Sequence, residues 1–277
     1  MREKIPLAGV IGHPVDHSRS PRLHGYWLRS HGIEGYYVPL DIGHEKLENA
    51  VAALPDLGFV GVNVTIPHKE RVVRLADFVS DRAALIGAAN TLTFRSDGRV
   101  YADNTDGLGF LTNLKQTTPG WQEQNGHAVV LGAGGAARAV TSALFEGGAS
   151  EVAVSNRTRA RAEALQKDFG PRVTVHDWIR AGNILEGASI VVNTTSLGMA
   201  GKPPLRVPLD GLSPNAVVAD LVYTPLKTQF LQDAAALGCR TVDGLGMLIH
   251  QAIPCFERWF GQRPDADDRT RAVILGA

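Results

Sequence analysis

Short apolar runs along the chain alternate with longer stretches in which apolar residues recur at helical spacing. That pattern belongs to an α/β architecture built on a mainly parallel sheet. Over about the first hundred residues it predicts strands at Leu7–Ile11, Gly35–Pro39, Val60–Thr65 and Thr91–Phe94. Helices are predicted between them at Pro21–Ser30, Glu45–Ala53 and His68–Leu75. A second alternating series opens near His127, with strands predicted at Ala128–Leu131, Glu151–Ser155, Val173–Val175, Ile190–Asn193 and Ala216–Asp220. Ahead of it, KQTTPGWQEQNG (residues 115–126) is rich in turn formers and lacks apolar periodicity, which predicts a surface loop. From Leu245 onward the pattern is helical, broken at Gly261–Pro264, with no further strand. No internal repeat or low-complexity tract interrupts it.

Composition narrows the function classes. The 277 residues, 44% of them hydrophobic, can bury a substantial core, as one large domain or two ordinary ones. Lysine plus arginine equals aspartate plus glutamate at 28 each, so no net field gathers polyanions. Nucleic-acid and membrane-surface roles therefore have no electrostatic footprint. The two cysteines, Cys239 and Cys255, form no CxxC pair, which argues against a disulfide scaffold and fits a reducing compartment. The opening MREKIPLAGVIGHP is interrupted by Pro6 and Gly9 and does not resemble a signal peptide, and no run reaches transmembrane length. The expectation is a soluble cytoplasmic protein with no nucleic-acid or membrane partner.

The clearest chemistry lies in VVLGAGGAARA (Val129–Ala139), which follows a predicted strand and opens a predicted helix. Gly132, Gly134 and Ala137 fill the three positions of the GxGxxG/A dinucleotide fingerprint. The first glycine permits a tight turn, and the second lets a pyrophosphate approach the backbone. The alanine allows helix and strand to pack closely, while the helix start offers unpaired N–H groups. Any tight strand-to-helix turn favours such residues; the following strand at the right distance is what favours a cofactor. At the end of that strand, VAVSNRTRARAEAL supplies Asn156, Arg157, Thr158 and Arg161 and no acid where an NAD site carries one. A carboxylate there would repel a 2′-phosphate, whereas Arg157 and Arg161 can clamp it. The plainer reading is a solvated basic helix start; taken with the fingerprint, the segment favours NADP.

Three further segments resemble the shikimate dehydrogenase family, and the likeness extends over nearly the whole chain. GHPVDHSRSPRLHG (Gly12–Gly25) resembles that family's Ser-x-Ser-Pro segment, which implies that Ser18 and Ser20 offer hydroxyls to a substrate carboxylate at a helix start. Alone, such a serine pair is more often a helix cap. His13 and His17 are four apart, but Pro14 prevents a regular helix between them, so no metal site is expected. FVGVNVTIPHKE (Phe59–Glu70) resembles the family's NVT-x-P-x-K motif. Asn63 and Thr65 are two apart on a strand and share a face. Pro67 suits a first helical position, which would put Lys69 in the opening turn of a helix. An isolated lysine is a solvated surface group; the motif raises Lys69 above that. GAANT (Gly87–Thr91) and DNTDG (Asp103–Gly107) supply Asn90, resembling the family's substrate-binding asparagine, and Asp106, resembling the acidic partner of the catalytic lysine. Asp106 also fits as a helix cap before Leu108–Leu114.

The resemblance implies two α/β domains separated by a cleft. An amino-terminal substrate domain would comprise 1–106 plus 246–277, and a Rossmann-type doubly wound NADP domain would span 107–245. From IVVNTTSLGM, VVADLVYTPLKT and DGLGMLIHQA it further implies that Tyr223 and Gln251 contact substrate and that Gly244 and Met247 lie along the nicotinamide. Asn193, Thr194 and Thr195 would close over the cofactor, and Ala133, Gly135, Ala136, Asp81 and Leu221 would complete its site. Two departures bear on substrate preference rather than reaction class: Gly25 after His24, where the family often has Asn, and Asp103 before Asn104.

The implied reaction is reversible reduction of 3-dehydroshikimate to shikimate by NADPH, with Lys69 as proton donor and Asp106 beside it. A quinate/shikimate dehydrogenase of broader range is the near alternative, although such relatives often accept NAD and the basic 156–161 segment disfavours that. A methylenetetrahydrofolate dehydrogenase shares the two-domain plan but has no use for the Ser-x-Ser-Pro carboxylate site. A non-enzymatic dinucleotide sensor should have lost the acid–base pair, yet Lys69 and Asp106 both remain. The expected assembly is a monomer or a homodimer.

Overall fold

The computed structural model describes residues 5–121 and 126–276. They sort into two compact units, Met1–Thr105 with Leu248–Ala277, and Asp106–Met247.

The first unit is built on a six-stranded mixed sheet. Its elements are β1 (Leu7–Gly12), α1 (Ser20–Ser30), β2 (Tyr36–Asp41), α2 (Leu47–Ala53), β3 (Phe59–Val64), β4 (Phe78–Val79), α3 (Asp81–Ile86), β5 (Thr91–Phe94) and β6 (Val100–Asp103). The strand order is β2-β1-β3-β5-β6-β4. β1 runs parallel to β2 and β3, while β5 is antiparallel to both β3 and β6. The register sets Asn63 against Thr91 and Thr91 against Asp103, so three polar residues lie in one row across β3, β5 and β6. A core of Ile11, Leu47, Val51, Val62, Val64 and Leu92 packs against this sheet.

The second unit holds α4 (Asp106–Thr117), β7 (His127–Leu131), α5 (Gly135–Glu146), β8 (Val152–Asn156), α6 (Arg159–Phe169), β9 (Val173–Asp177), β10 (Ala188–Asn193), β11 (Val217–Asp220), α7 (Gln229–Ala236) and β12 (Arg240–Val242). Its sheet is wholly parallel, in the order β12-β11-β10-β7-β8-β9. The winding reverses between β7 and β10, which is the doubly wound arrangement of dinucleotide-binding domains and leaves a crevice beyond the carboxyl ends of those two strands. Ala128 and Val130 belong to one buried cluster and Val129 and Leu131 to another, so helices cover both faces of β7. That double burial is why these strands read as unbroken apolar runs. Helix α8 (Gly244–Phe260) follows, and its residues from Leu248 onward join the first unit together with α9 (Asp268–Leu275).

The α/β class is as expected, and several local expectations need correction. No α-helix occupies His68–Leu75: residues 69–71 form a turn, and a short 3-10 segment covers Val72–Leu75. Lys69 therefore sits in no helical first turn. The segment from Glu45 begins as a 3-10 turn, and its α-helix starts only at Leu47. The loop expected over 115–126 is partly helical, because α4 continues to Thr117; residues 122–125 of that segment lie outside the described residues, as do residues 1–4. Asp106 is the first residue of α4 rather than the residue before it. Strands β4, β6 and β12 and helix α3, of two to six residues, were not expected from the pattern. Among the described residues no helix is long and apolar enough to cross a membrane.

Candidate active site

In the first unit, the residues expected to bind substrate gather around the carboxyl ends of β1 and β3 and the start of β5. Ser20 opens α1 and is buried, and its backbone N–H donates to Ser18 Oγ at 3.3 Å. Asn63, near the end of β3, is buried with its amide fully engaged: Oδ1 accepts from the Tyr37 hydroxyl at 2.7 Å, and Nδ2 donates to the Asn90 carbonyl at 3.2 Å and Thr91 Oγ1 at 3.3 Å. Thr65 and Lys69 follow on the turn beyond the strand, both half-buried.

Asn90 is the hub of this unit. Its Nδ2 donates to Gln251 Oε1 at 2.9 Å and Thr105 Oγ1 at 3.0 Å, and its Oδ1 accepts from the Thr105 backbone N–H at 2.8 Å. The Thr105 hydroxyl donates in turn to the Gln251 carbonyl at 2.8 Å. Gln251 is thus held at both its side chain and its backbone, on the part of α8 that belongs to this unit. Asp81 begins α3 and is exposed. Next to it, Ser80 and Arg82 both donate to Asp103, whose carboxylate is 2% exposed. Burial pushes that carboxyl up, but hydrogen bonds from Arg82 and Ser80, the Arg82 charge and the Asn104 N–H outweigh it and hold the pKa down at about 2. Asp103 ends β6 and so fixes the segment from which Asn104 and Thr105 extend.

In the second unit, Gly132 and Gly134 occupy the turn from β7 into α5. Gly132 has φ +115°, and a Cβ there would collide with Thr194 Oγ1, so only glycine fits. Gly134 is the residue before α5, and nothing lies within 4 Å of where its Cβ would point. The open space above Gly134, at the head of a helix of 12 residues, gives a phosphate direct access to backbone N–H groups. Ala133, Gly135 and Ala136 line the same turn, and Ala137 is fully buried against the sheet. The residues present therefore fit a dinucleotide.

At the end of β8, Asn156 Nδ2 donates to the Thr158 carbonyl at 2.8 Å and shapes the entry to α6. Arg159 is tied to Glu163 at 2.8 Å and Asp177 at 2.5 Å. Arg157 and Arg161, on either side, are exposed and have no ion-pair partner among the described residues. Two unpaired guanidinium groups flank a paired one where a 2′-phosphate would be read.

Thr194 is fixed beside Gly132, its N–H and hydroxyl both donating to the Leu131 carbonyl at 2.9 and 2.8 Å. Gly244 opens α8, and a Cβ there would strike the Leu221 carbonyl, which brings those two expected cofactor residues together. Met247 packs in the core behind them, and Tyr223 is half-buried on the segment after β11. Asp106 is buried at the start of α4.

Two residues with evident structural influence, Thr105 and Asp220, carry no functional mark in the sequence, and Asp103 stands out there only as a departure from the family pattern. The only signal for Asp220 is a carboxylate closing an otherwise apolar strand, VVAD. Thr105 lies inside the DNTDG segment, where its neighbour Asp106 is the more obvious chemical group.

The chain matches three family models: the shikimate dehydrogenase substrate binding domain over residues 10–92, shikimate / quinate 5-dehydrogenase over 114–199, and the shikimate 5′-dehydrogenase C-terminal domain over 244–274. It is 66% identical over 274 residues to the shikimate dehydrogenase (NADP(+)) of Cereibacter sphaeroides, covering 99% of this chain and 98% of the relative. Among solved structures it resembles the shikimate 5-dehydrogenase of Thermus thermophilus in complex with NADP(H) and shikimate, with TM-score 0.85 and 38% identity over 99% of this chain and 100% of that one. It also resembles the quinate dehydrogenase of Corynebacterium glutamicum in complex with NAD, with TM-score 0.87 and 33% identity over 99% of both chains.

Proposed function

The chain belongs to the shikimate dehydrogenase family, and on that premise we propose that Lys69 and Asp106 carry the proton chemistry of its NADP-dependent interconversion of 3-dehydroshikimate and shikimate. The protein is an oxidoreductase of aromatic amino-acid biosynthesis by its kinship, and NADP is its cofactor.

Bound NADPH supplies the hydride; the chain must orient it and manage one proton. As negative charge grows on the C3 oxygen of 3-dehydroshikimate, the Lys69 ammonium stabilises that oxygen and delivers its proton to it. Asp106 accepts from a neighbouring substrate hydroxyl. Ser18 and Ser20 hold the substrate carboxylate, and Thr65, Asn90, Gln251 and Tyr223 orient the ring. Asn63 contributes from beneath, because its amide is already engaged by Tyr37, Asn90 and Thr91. The turn Gly132–Ala136 takes the pyrophosphate, and Asn156, Arg157, Thr158 and Arg161 take the adenosine 2′-phosphate. Asp81, Thr194, Leu221, Gly244 and Met247 border the rest of the dinucleotide.

The observation that carries this reading is the pairing, in one chain, of an open Gly134 turn and unpaired Arg157 and Arg161 with the buried Asn90–Thr105–Gln251 cluster. A quinate-oxidising enzyme would share the cluster, and the likeness to an NAD-bound quinate dehydrogenase keeps that reading in play. The two arginines favour the 2′-phosphate. The deciding experiment incubates the protein with shikimate and NADP and follows the reduced nicotinamide absorbance, with quinate and NAD as parallel arms. Fast reduction of NADP by shikimate alone is expected; preference for quinate or NAD would replace this reading. A cytoplasmic site of action accords with the two free buried cysteines.

A further inference from the structure

A buried carboxylate that is not itself an expected ligand stands at the edge of the dinucleotide crevice. Asp220 ends β11 and pairs in register with Asn193, which ends β10. It is 1% exposed and accepts from three neutral donors: Asn193 Nδ2 at 2.9 Å, the Val222 N–H at 3.0 Å and the Thr228 hydroxyl at 2.7 Å. Burial pushes its carboxyl up to about 6 against those hydrogen bonds. An uncharged side chain of similar shape would avoid that desolvation cost, so the carboxylate calls for another explanation.

Its chemistry suggests one. An ionised carboxylate only accepts hydrogen bonds, whereas an asparagine amide can present either end. Asp220, the nearer of the two acceptors on Asn193 Nδ2, therefore favours the amide orientation that turns the NH2 toward β11 and Oδ1 the other way. Asn193 Oδ1 then accepts from both the Thr195 N–H at 3.0 Å and the Thr195 hydroxyl at 2.8 Å, and the Thr195 oxygen accepts from the Leu197 N–H at 3.1 Å. The Leu197 N–H, the Thr195 hydroxyl and Asn193 Nδ2 thus donate in sequence toward Asp220, and Asn193 Nδ2 also donates to the Leu197 carbonyl at 3.2 Å, which closes the 194–197 segment onto the same amide. The neighbouring residue, Thr194, is the one whose hydroxyl fills the space beside Gly132.

We propose that Asp220 is a positioning residue for the cofactor: its carboxylate sets the direction of the Asn193–Thr195–Leu197 hydrogen-bond chain, which holds the 194–197 segment in shape against the Gly132 turn. The proposal rests on the dinucleotide reading of that turn. It makes Asp220 a determinant of NADP affinity and not of shikimate affinity.

The test measures NADPH dissociation constants by titration, and KM for NADP and for shikimate, at a temperature well below each variant's melting point. Asp220→Asn can donate toward Asn193 and scramble the chain. It is expected to weaken NADPH binding about tenfold, the worth of roughly one organised hydrogen bond, while KM for shikimate moves less than about twofold. Thr228→Val removes a different bond to the same carboxylate and leaves the chain intact; it should lower the melting temperature and leave NADPH affinity within about twofold. If Asp220→Asn does not fold, Asn193→Ala must show the same split between NADP and shikimate. Equal weakening by Thr228→Val and Asp220→Asn, or equal effects on both substrates, would mean a merely structural carboxylate and overturns the proposal. Wild-type protein that does not bind NADPH at all would instead overturn the dinucleotide reading.

Discussion

Asn90 and Gln251, separated by 161 positions in the chain, are joined by a 2.9 Å hydrogen bond from Nδ2 to Oε1. The bond ties the start of β5 to α8, and Thr105 and Thr91 also hydrogen-bond the Asn90 amide. Asn90→Ala strips partners from the Thr105 N–H and from Gln251 together. Leaving such groups buried costs roughly 1–3 kcal/mol. Urea unfolding should show that loss, and KM for shikimate should rise about tenfold or more as Gln251 loses its orientation. A variant with wild-type stability and KM would show that the cluster organises nothing.

Lys69→Ala is expected to lower kcat by about a hundredfold or more, the usual worth of a positioned acid–base group. Lys69 is half-buried on a turn outside any helix, so the melting temperature should change little. Steady-state rates in both directions check this. Near-normal turnover would remove Lys69 from the chemistry.

Arg157→Ala with Arg161→Ala should raise KM for NADPH far more than KM for NADH, because only the former carries the 2′-phosphate that these guanidinium groups can clamp. Arg159→Ala is the control. Its bonds to Glu163 and Asp177 are exposed surface pairs, and its loss should not discriminate between the two cofactors. Parallel shifts for both cofactors in the double variant would rule out the clamp.

The pattern in the sequence made some of this legible and left the rest hidden for physical reasons. Strands β7, β8 and β10 are buried on both faces, so their apolar runs stood out, and Gly132, with φ +115°, is demanded by backbone geometry that no other residue meets as well. The 68–75 segment read as a helix because its residues permit one, yet the chain there forms a turn that the tertiary fold imposes. β4 and β12 have two and three residues, too few to show alternation. The roles of Asp103 and Asp220 depend on partners 21 and 27 positions away in the chain, Arg82 and Asn193, which no local window reveals.

Acid should act on stability through His24 before Asp103. His24 is fully buried and stacked on Tyr37 at 4.0 Å, and burial pushes its pKa down to about 3 from the usual 6.5. Between those values the unfolded chain binds a proton that the folded chain refuses. Its contribution is thus complete above pH 6.5 and is lost as pH falls toward 3, by something on the order of 4 kcal/mol. Asp103, held near 2, adds a loss only as pH falls from 3.8 toward 2. Asp220 has the opposite sign: raised to about 6, its contribution is present below 3.8 and lost as pH rises through 6. Urea midpoints measured across pH 3 to 7 should therefore fall on acidification in the wild type and much less in His24→Leu. Identical slopes in the two proteins would contradict the assignment to His24.

The unit formed by Met1–Thr105 with Leu248–Ala277 has a consequence for biosynthesis. Residues 106–247 carry a complete sheet with its helices, able to condense without the tail. The amino-terminal sheet stays without its closing helices until the tail is made, because Asn90 meets Gln251, Trp27 meets Thr270, and Arg19 meets the Ile274 carbonyl only after those residues emerge. A chain truncated after Met247 and released should thus present a protease-resistant middle and a digestible amino-terminal part, an order of maturation opposite to the order of translation.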